Sequence, residues 1–153
     1  FNSFTGYTFS YLWYELRNMN RLDMSEVKVS KIMTKRLIVA SIHDTVEEAV
    51  KKMVDNDVEC LPVINSDGML QGLVTFRDIV TKFVYPSAFK RELKIGEIMA
   101  KNITTCGPDS TVLDAVKTMK NRHLRRLPVV NAEKVLVGLV TDFDLALFGW
   151  ELE

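Results

Sequence analysis

The sequence predicts a mixed α/β fold of two β-α-β-β-α units related by pseudo-twofold symmetry. Three observations carry this prediction. First, the chain repeats itself at a constant offset of 66 residues: Met33 recurs as Met99, Thr45 as Thr111, Ala49 as Ala115, Met53 as Met119 and Leu61-Pro62-Val63 as Leu127-Pro128-Val129. Gly72-Leu73-Val74-Thr75 with Asp78 likewise recurs as Gly138-Leu139-Val140-Thr141 with Asp144. A fixed period means one structural unit used more than once. Second, short β-rich runs alternate with stretches of helical spacing, the pattern of an α/β core. Third, the chain has 153 residues, about one domain's worth. One repeat alone would bury too little surface to be stable, so two repeats sharing a core are expected.

The elements follow in order. Leu37–Ala40 is a short β-rich run. Thr45-Val46-Glu47-Glu48 has the spacing of a capping box, in which the Thr hydroxyl accepts from the backbone three residues on while Glu48 reaches back. Val46, Ala49, Val50, Met53 and Val54 then keep helical spacing. Cys60–Asn65 reads as a buried strand, Ser66-Asp67-Gly68 as a turn, Leu70–Thr75 as a second strand and Phe76–Phe83 as a helix. The second copy predicts strand Ile103–Cys106, a helix from Thr111 through Met119, strands Leu127–Asn131 and Val135–Thr141, and a helix from Asp142 to Phe148. The boundaries are repeat one over 27–84, a linker over 85–94 and repeat two over 95–150. Residues 1–26 form an aromatic-rich leader, read either as foreign or as the tail of an upstream domain.

Composition narrows the function. A hydrophobic content of 47% with 26% charged residues is that of an ordinary globular protein. Twenty basic and twenty acidic residues cancel, so no global field draws nucleic acid or an acidic membrane, and any anion site must be local. Cys60 and Cys106 form no metal or redox spacing and are expected as small hydrophobes in a reducing cytoplasm. His43 and His123 are isolated, and the repeated methionines are expected to pack. No nucleophile–base pattern, metal-ligand spacing or glycine-rich phosphate loop is present, so catalysis is not expected and no cofactor or metal is required.

Taken together, the repeated motifs resemble a tandem pair of CBS (cystathionine β-synthase) domains, a Bateman module. The residues that carry the resemblance are Lys31-Ile32-Met33, Thr45-x-x-x-Ala49-x-x-x-Met53, Leu61-Pro62-Val63 and Gly72-Leu73-Val74-Thr75-x-x-Asp78, each with its counterpart in the second copy. The resemblance implies that the two units pack through their sheets and form a regulatory, energy-sensing module. It binds an adenosine-containing ligand (AMP, ADP, ATP or S-adenosylmethionine type) in clefts between the copies, and it is expected as a homodimer with an unknown effector domain or protein.

Carried over residue by residue, cleft one uses Leu73, Thr75 and Asp78 together with Ile103, Thr104, Thr105, Leu124, Arg125 and Arg126. The resemblance gives the carboxylate to the ribose, since its oxygens accept from both vicinal hydroxyls. Thr75, at a helix N-terminus, offers its hydroxyl to sugar or phosphate. The arginines suit phosphate geometry. Cleft two keeps Leu139, Thr141 and Asp144, with Ile38 and Val39, but has Glu59 and Cys60 where Arg125 and Arg126 stand in the other copy. A carboxylate there repels phosphate, so cleft two is expected to be the weaker site, suited to an uncharged or cationic adenosyl compound. The alternative for Thr75, Thr141, Asp78 and Asp144 is simple helix capping. The alternative for the whole chain is a ligand-free dimerisation or protein-interaction module.

Overall fold

A computed structural model of the chain describes residues 21–86 and 92–151. The aromatic stretch at 1–20 lies outside the described residues. Helix α1 spans Arg21–Glu26 and a 3-10 turn follows at Val29–Lys31. Strand β1 is Ala40–Ser41, helix α2 Val46–Asn56, strand β2 Cys60–Ile64 and strand β3 Leu70–Thr75. Helix α3 covers Phe76–Ile79 and widens into a π-helical stretch over Val80–Val84. Helix α4 is Ile95–Ile98, α5 Val112–Arg122, β4 Arg126–Val130, β5 Leu136–Thr141 and α6 Asp142–Glu151.

The helix starts obey local chemistry. Thr45 accepts from the Glu48 backbone at 3.1 Å while Glu48 accepts from the Thr45 N–H at 2.8 Å, the reciprocal cap its spacing predicts. Thr111 and Asp114 repeat it at 3.1 Å in both directions. At their other ends α2 and α5 stop at Asp57 and His123, both left-handed, with φ of 52° and 54°.

Strand pairing corrects two expectations. β1 runs parallel to β2 for only two residues, Ala40 opposite Val63 and Ser41 opposite Ile64, so Leu37–Val39 is not a strand. Ile103–Cys106 contracts to one parallel bridge, Cys106 to Val129. Both runs have β-propensity, but a strand exists only where a neighbour's backbone completes its hydrogen bonds. β2 pairs antiparallel with β3, Leu61 opposite Val74 and Val63 opposite Gly72.

Contacts divide the chain into two compact units that cut across the sequence repeats. Among the described residues, one holds 21–35, Thr105–Val129 and 137–151; the other holds 36–86, 92–104 and Val130–Leu136. In the first, Met24 and Val29 join Val112, Ala115, Met119, Leu127, Val129, Val140 and Leu145 in one core. In the second, Leu93, Ile95 and Ile98 join Ala40, Ala49, Met53, Leu61, Val63 and Val74. Each copy's leading segment therefore belongs to the core of the other copy. The exchange is reciprocal bond for bond. Val29 N–H donates to Ser110 O at 2.7 Å, as Ile95 N–H does to Asp44 O at 2.8 Å. Thr34 and Leu139 exchange bonds of 2.8 and 3.0 Å, as Ala100 and Leu73 do.

This exchange explains the repeated Ile-Met and Gly-Leu-Val-Thr motifs together. An added Cβ on Gly72 would lie 2.5 Å from the Ala100 carbonyl oxygen and 2.8 Å from Met99 Sδ; one on Gly138 would meet the side chain of Met33. At Gly72 glycine is required because the backbone of another segment passes against its α-carbon, whereas at Gly138 the close neighbour is a flexible side chain. Met53 and Met119 are fully buried, the packing role expected of them.

Candidate functional site

Two matching turns close the strands β3 and β5. At the first, Thr75 is extended (φ −122°, ψ 167°), and its N–H and hydroxyl both donate to Asp78 Oδ2, at 2.9 and 3.1 Å. The Asp78 N–H donates back to Thr75 Oγ1 at 3.3 Å. At the second, Thr141 N–H and hydroxyl donate to Asp144 Oδ2 at 2.9 and 3.0 Å, and Asp144 N–H donates to Thr141 Oγ1 at 3.2 Å. The capping role foreseen as an alternative is therefore present in both turns. It also has a consequence for recognition. Each Thr hydroxyl hydrogen is committed to its aspartate, which leaves a lone pair on Oγ1 as its remaining capacity. In each turn Oδ2 carries both threonine donors, and each carboxylate oxygen has two lone pairs, so a sugar hydroxyl would use capacity on Oδ1.

The surroundings of the two carboxylates differ. Lys82 Nζ lies 3.1 Å from Asp78 Oδ1 and donates to the Ile98 carbonyl at 2.8 Å. Asp144 has no lysine at that distance along its helix: the position four residues on is Phe148, which is buried. The side chain of Thr34 bonds to Asp144 instead. Burial pushes the Asp144 carboxyl above its ordinary value and nearby Asp142 adds to the rise, against the Thr141 and Thr34 hydrogen bonds.

Leu73 lies half-buried beside Thr75 and pairs with Ala100, and Leu139 pairs with Thr34 in the same way. Ile103 and Thr104 are half-buried in the compact unit that holds Thr75 and Asp78. Thr105, which is exposed, and the half-buried Leu124, Arg125 and Arg126 belong to the other unit. Arg125 Nε donates to Asp142 Oδ2 at 2.9 Å; one carboxylate does not exhaust its five N–H donors. Ile38 and Val39 lead into β1, and the Val39 carbonyl accepts from Lys52 Nζ at 3.0 Å. Lys82 and Thr34 escaped the sequence reading. For Lys82 the signal was there, as an Asp–Lys pair four residues apart on a helix. For Thr34 there was none, since its partner is more than a hundred residues away.

Neither histidine is buried, and both cysteines are free thiols, Cys60 buried and Cys106 half-buried. Among the described residues no group of three or more His, Cys, Asp or Glu side chains converges as a metal site.

The CBS-domain family model matches residues 29–85 and again 95–150. The chain belongs to the CBS-domain family. The Bacillus subtilis protein YlbB is 36% identical over 123 residues, which is 78% of this chain and 80% of that protein. The CBS domain pair of protein MJ0100, solved in complex with 5-methylthioadenosine and S-adenosyl-L-methionine, is similar with 29% identity and a TM-score of 0.70, over 82% of this chain and 98% of that one. CBSX2 of Arabidopsis thaliana shares the fold at 24% identity and a TM-score of 0.73, over 82% of this CBS pair and 96% of that chain. The pair also matches homoserine O-acetyltransferases of Methanohalobium evestigatum and Methanosarcina acetivorans, at 30% and 34% identity over 80% and 88% of its own length, but it spans only 24% of the length of each.

Proposed function

We propose that this CBS pair is a non-catalytic regulatory module that binds an adenosine-containing ligand of the AMP, ADP, ATP or S-adenosylmethionine type. The observation that carries the reading is the Thr-x-x-Asp turn, built twice with the same hydrogen bonds. In each turn a half-buried carboxylate accepts two donors from its threonine on Oδ2; at Asp78, Oδ1 faces Lys82 Nζ and keeps one further lone pair for a ribose hydroxyl. Fixed acceptors bind without further ordering cost. The ligands of the MJ0100 pair support the adenosyl class.

In this reading Thr75 and Asp78 hold the ribose, flanked by Leu73, Ile103 and Thr104, and the family pattern adds Thr105, Leu124, Arg125 and Arg126 for base and phosphate. Leu139, Thr141 and Asp144, with Ile38 and Val39, form the weaker counterpart. The module acts in the cytoplasm on an effector domain or protein. Ligand binding regulates only if one arrangement of the module binds the ligand better than another.

Isothermal titration calorimetry with AMP, ADP, ATP and S-adenosylmethionine tests the proposal. Saturable binding with about one strong site per chain, lost in Asp78→Ala and weakened in Arg126→Ala, is the expected result. No heat with any of the four at high micromolar concentration would sink it.

A second reading, a ligand-free homodimer or docking module, is favoured by exposed apolar side chains on two helices. Phe76, Val80 and Val84 are 40%, 54% and 45% exposed at intervals of four along α3 and its π-helical extension. Phe143 and Leu147 are 66% and 47% exposed on α6. Such faces mark association surfaces, and a homodimer is compatible with ligand binding.

A further inference from the structure

The residue four positions after each ribose-turn aspartate breaks the repeat: Lys82 in the first copy, Phe148 in the second. Lys82 is not a loose surface cation. Its ammonium is pinned between Asp78 Oδ1 at 3.1 Å and the Ile98 carbonyl at 2.8 Å, while the Asp78 side chain is 15% exposed. Arg77 adds a second positive charge on the same short helix, where the second copy has Phe143. In the second copy the Asp144 carboxylate is met by neutral donors, Thr141 and Thr34. Arg125 is bonded to Asp142 rather than to Asp144. The first turn therefore carries a compensated carboxylate and the second an uncompensated one.

We infer that Lys82 sets the charge preference of the Thr75–Asp78 turn, admitting an anionic adenosine nucleotide there, while the Thr141–Asp144 turn selects an uncharged or cationic adenosyl compound. This rests on the proposal that the turns hold ribose. A phosphate on a sugar gripped by a bare carboxylate lies roughly 8 Å from that charge, where Coulomb repulsion weakens binding by about 3- to 30-fold per unit charge between aqueous and protein-like screening. Lys82 cancels that repulsion. Because its side chain is 44% exposed, solvent screening puts the effect near the lower end, about fivefold. Lys82 is a positioning and charge-compensating residue, acting through Asp78.

The test titrates AMP and adenosine into the chain carrying Asp144→Asn, so that only the first turn presents a ribose carboxylate, and into the same chain with Lys82→Gln or Lys82→Arg. Expected is an AMP affinity about fivefold weaker in Lys82→Gln, adenosine affinity changed by less than about twofold, and the AMP-to-adenosine ratio restored by Lys82→Arg. A purely structural lysine would move both ligands together, so an unchanged ratio in Lys82→Gln overturns the inference while leaving the ribose reading intact. If the Asp144→Asn chain binds neither AMP nor adenosine, the ribose reading falls, and this inference with it.

Discussion

Gly72→Ala is expected to destabilise the chain well beyond Gly138→Ala, although the two glycines are equivalent in sequence. At Gly72 the nearest obstacle to a Cβ is the backbone oxygen of Ala100 at 2.5 Å, with Met99 Sδ at 2.8 Å behind it. A backbone atom relaxes only if its segment moves, and that segment exchanges the 2.8 and 3.0 Å bonds with Leu73. Overpacking costs about 1–3 kcal/mol and weakening one such bond about 1 kcal/mol. Alanine returns about 0.5–1 kcal/mol through a less flexible unfolded chain. The net loss is about 2–3 kcal/mol, or about 5–10 °C in Tm for a chain of this size. At Gly138 the nearest atoms all belong to the Met33 side chain, which can change rotamer, so the loss is about 1 kcal/mol. Urea unfolding followed by circular dichroism reads both, provided the m-values agree. Equal losses in the two variants, or a Gly72→Ala loss under about 1 kcal/mol, would refute this account of the glycines.

Two further outcomes follow from the ionisable groups. Burial pushes the Asp44 carboxyl up, but the Ser41 N–H and the Lys52 ammonium, 3.0 and 2.9 Å away, outweigh it and hold the carboxyl below its ordinary 3.8. Its stabilising contribution is thus present above that value and lost as pH falls through the lower folded-state value. Asp44→Asn should cost about 1–3 kcal/mol at pH 7 and progressively less in acid, read from urea unfolding at several pH values; a pH-independent cost would refute it. Burial pushes the Cys106 thiol up to about 11, and Cys60 is buried at 6% exposure. Iodoacetamide at pH 8 should therefore leave both unmodified in the native chain and modify both in urea, followed by mass spectrometry. Rapid native modification of Cys106 would contradict its burial.

What could be read from the sequence was whatever neighbouring residues settle among themselves. The capping box at Thr45 and the starts of the helices after Thr111 and Thr141 depend on contacts within a few positions, and each was predicted to within a residue. The helix after Thr75 was legible too, but not its widening after Ile79. The repeat made the Thr-x-x-Asp turns stand out and supplied the family. Which residues complete those turns was decided by tertiary structure. Thr34 reaches Asp144 because Val29–Thr34 packs with the second copy's core, and Lys82 is held by Ile98 because α4 packs with the first. Likewise Leu37–Val39 and Ile103–Thr105 have the composition of strands and are not strands in the fold. Periodicity and capping are short-range and leave their mark on consecutive residues. Strand pairing and segment exchange join residues far apart in the chain, and only the folded backbone brings their donors and acceptors within bonding distance.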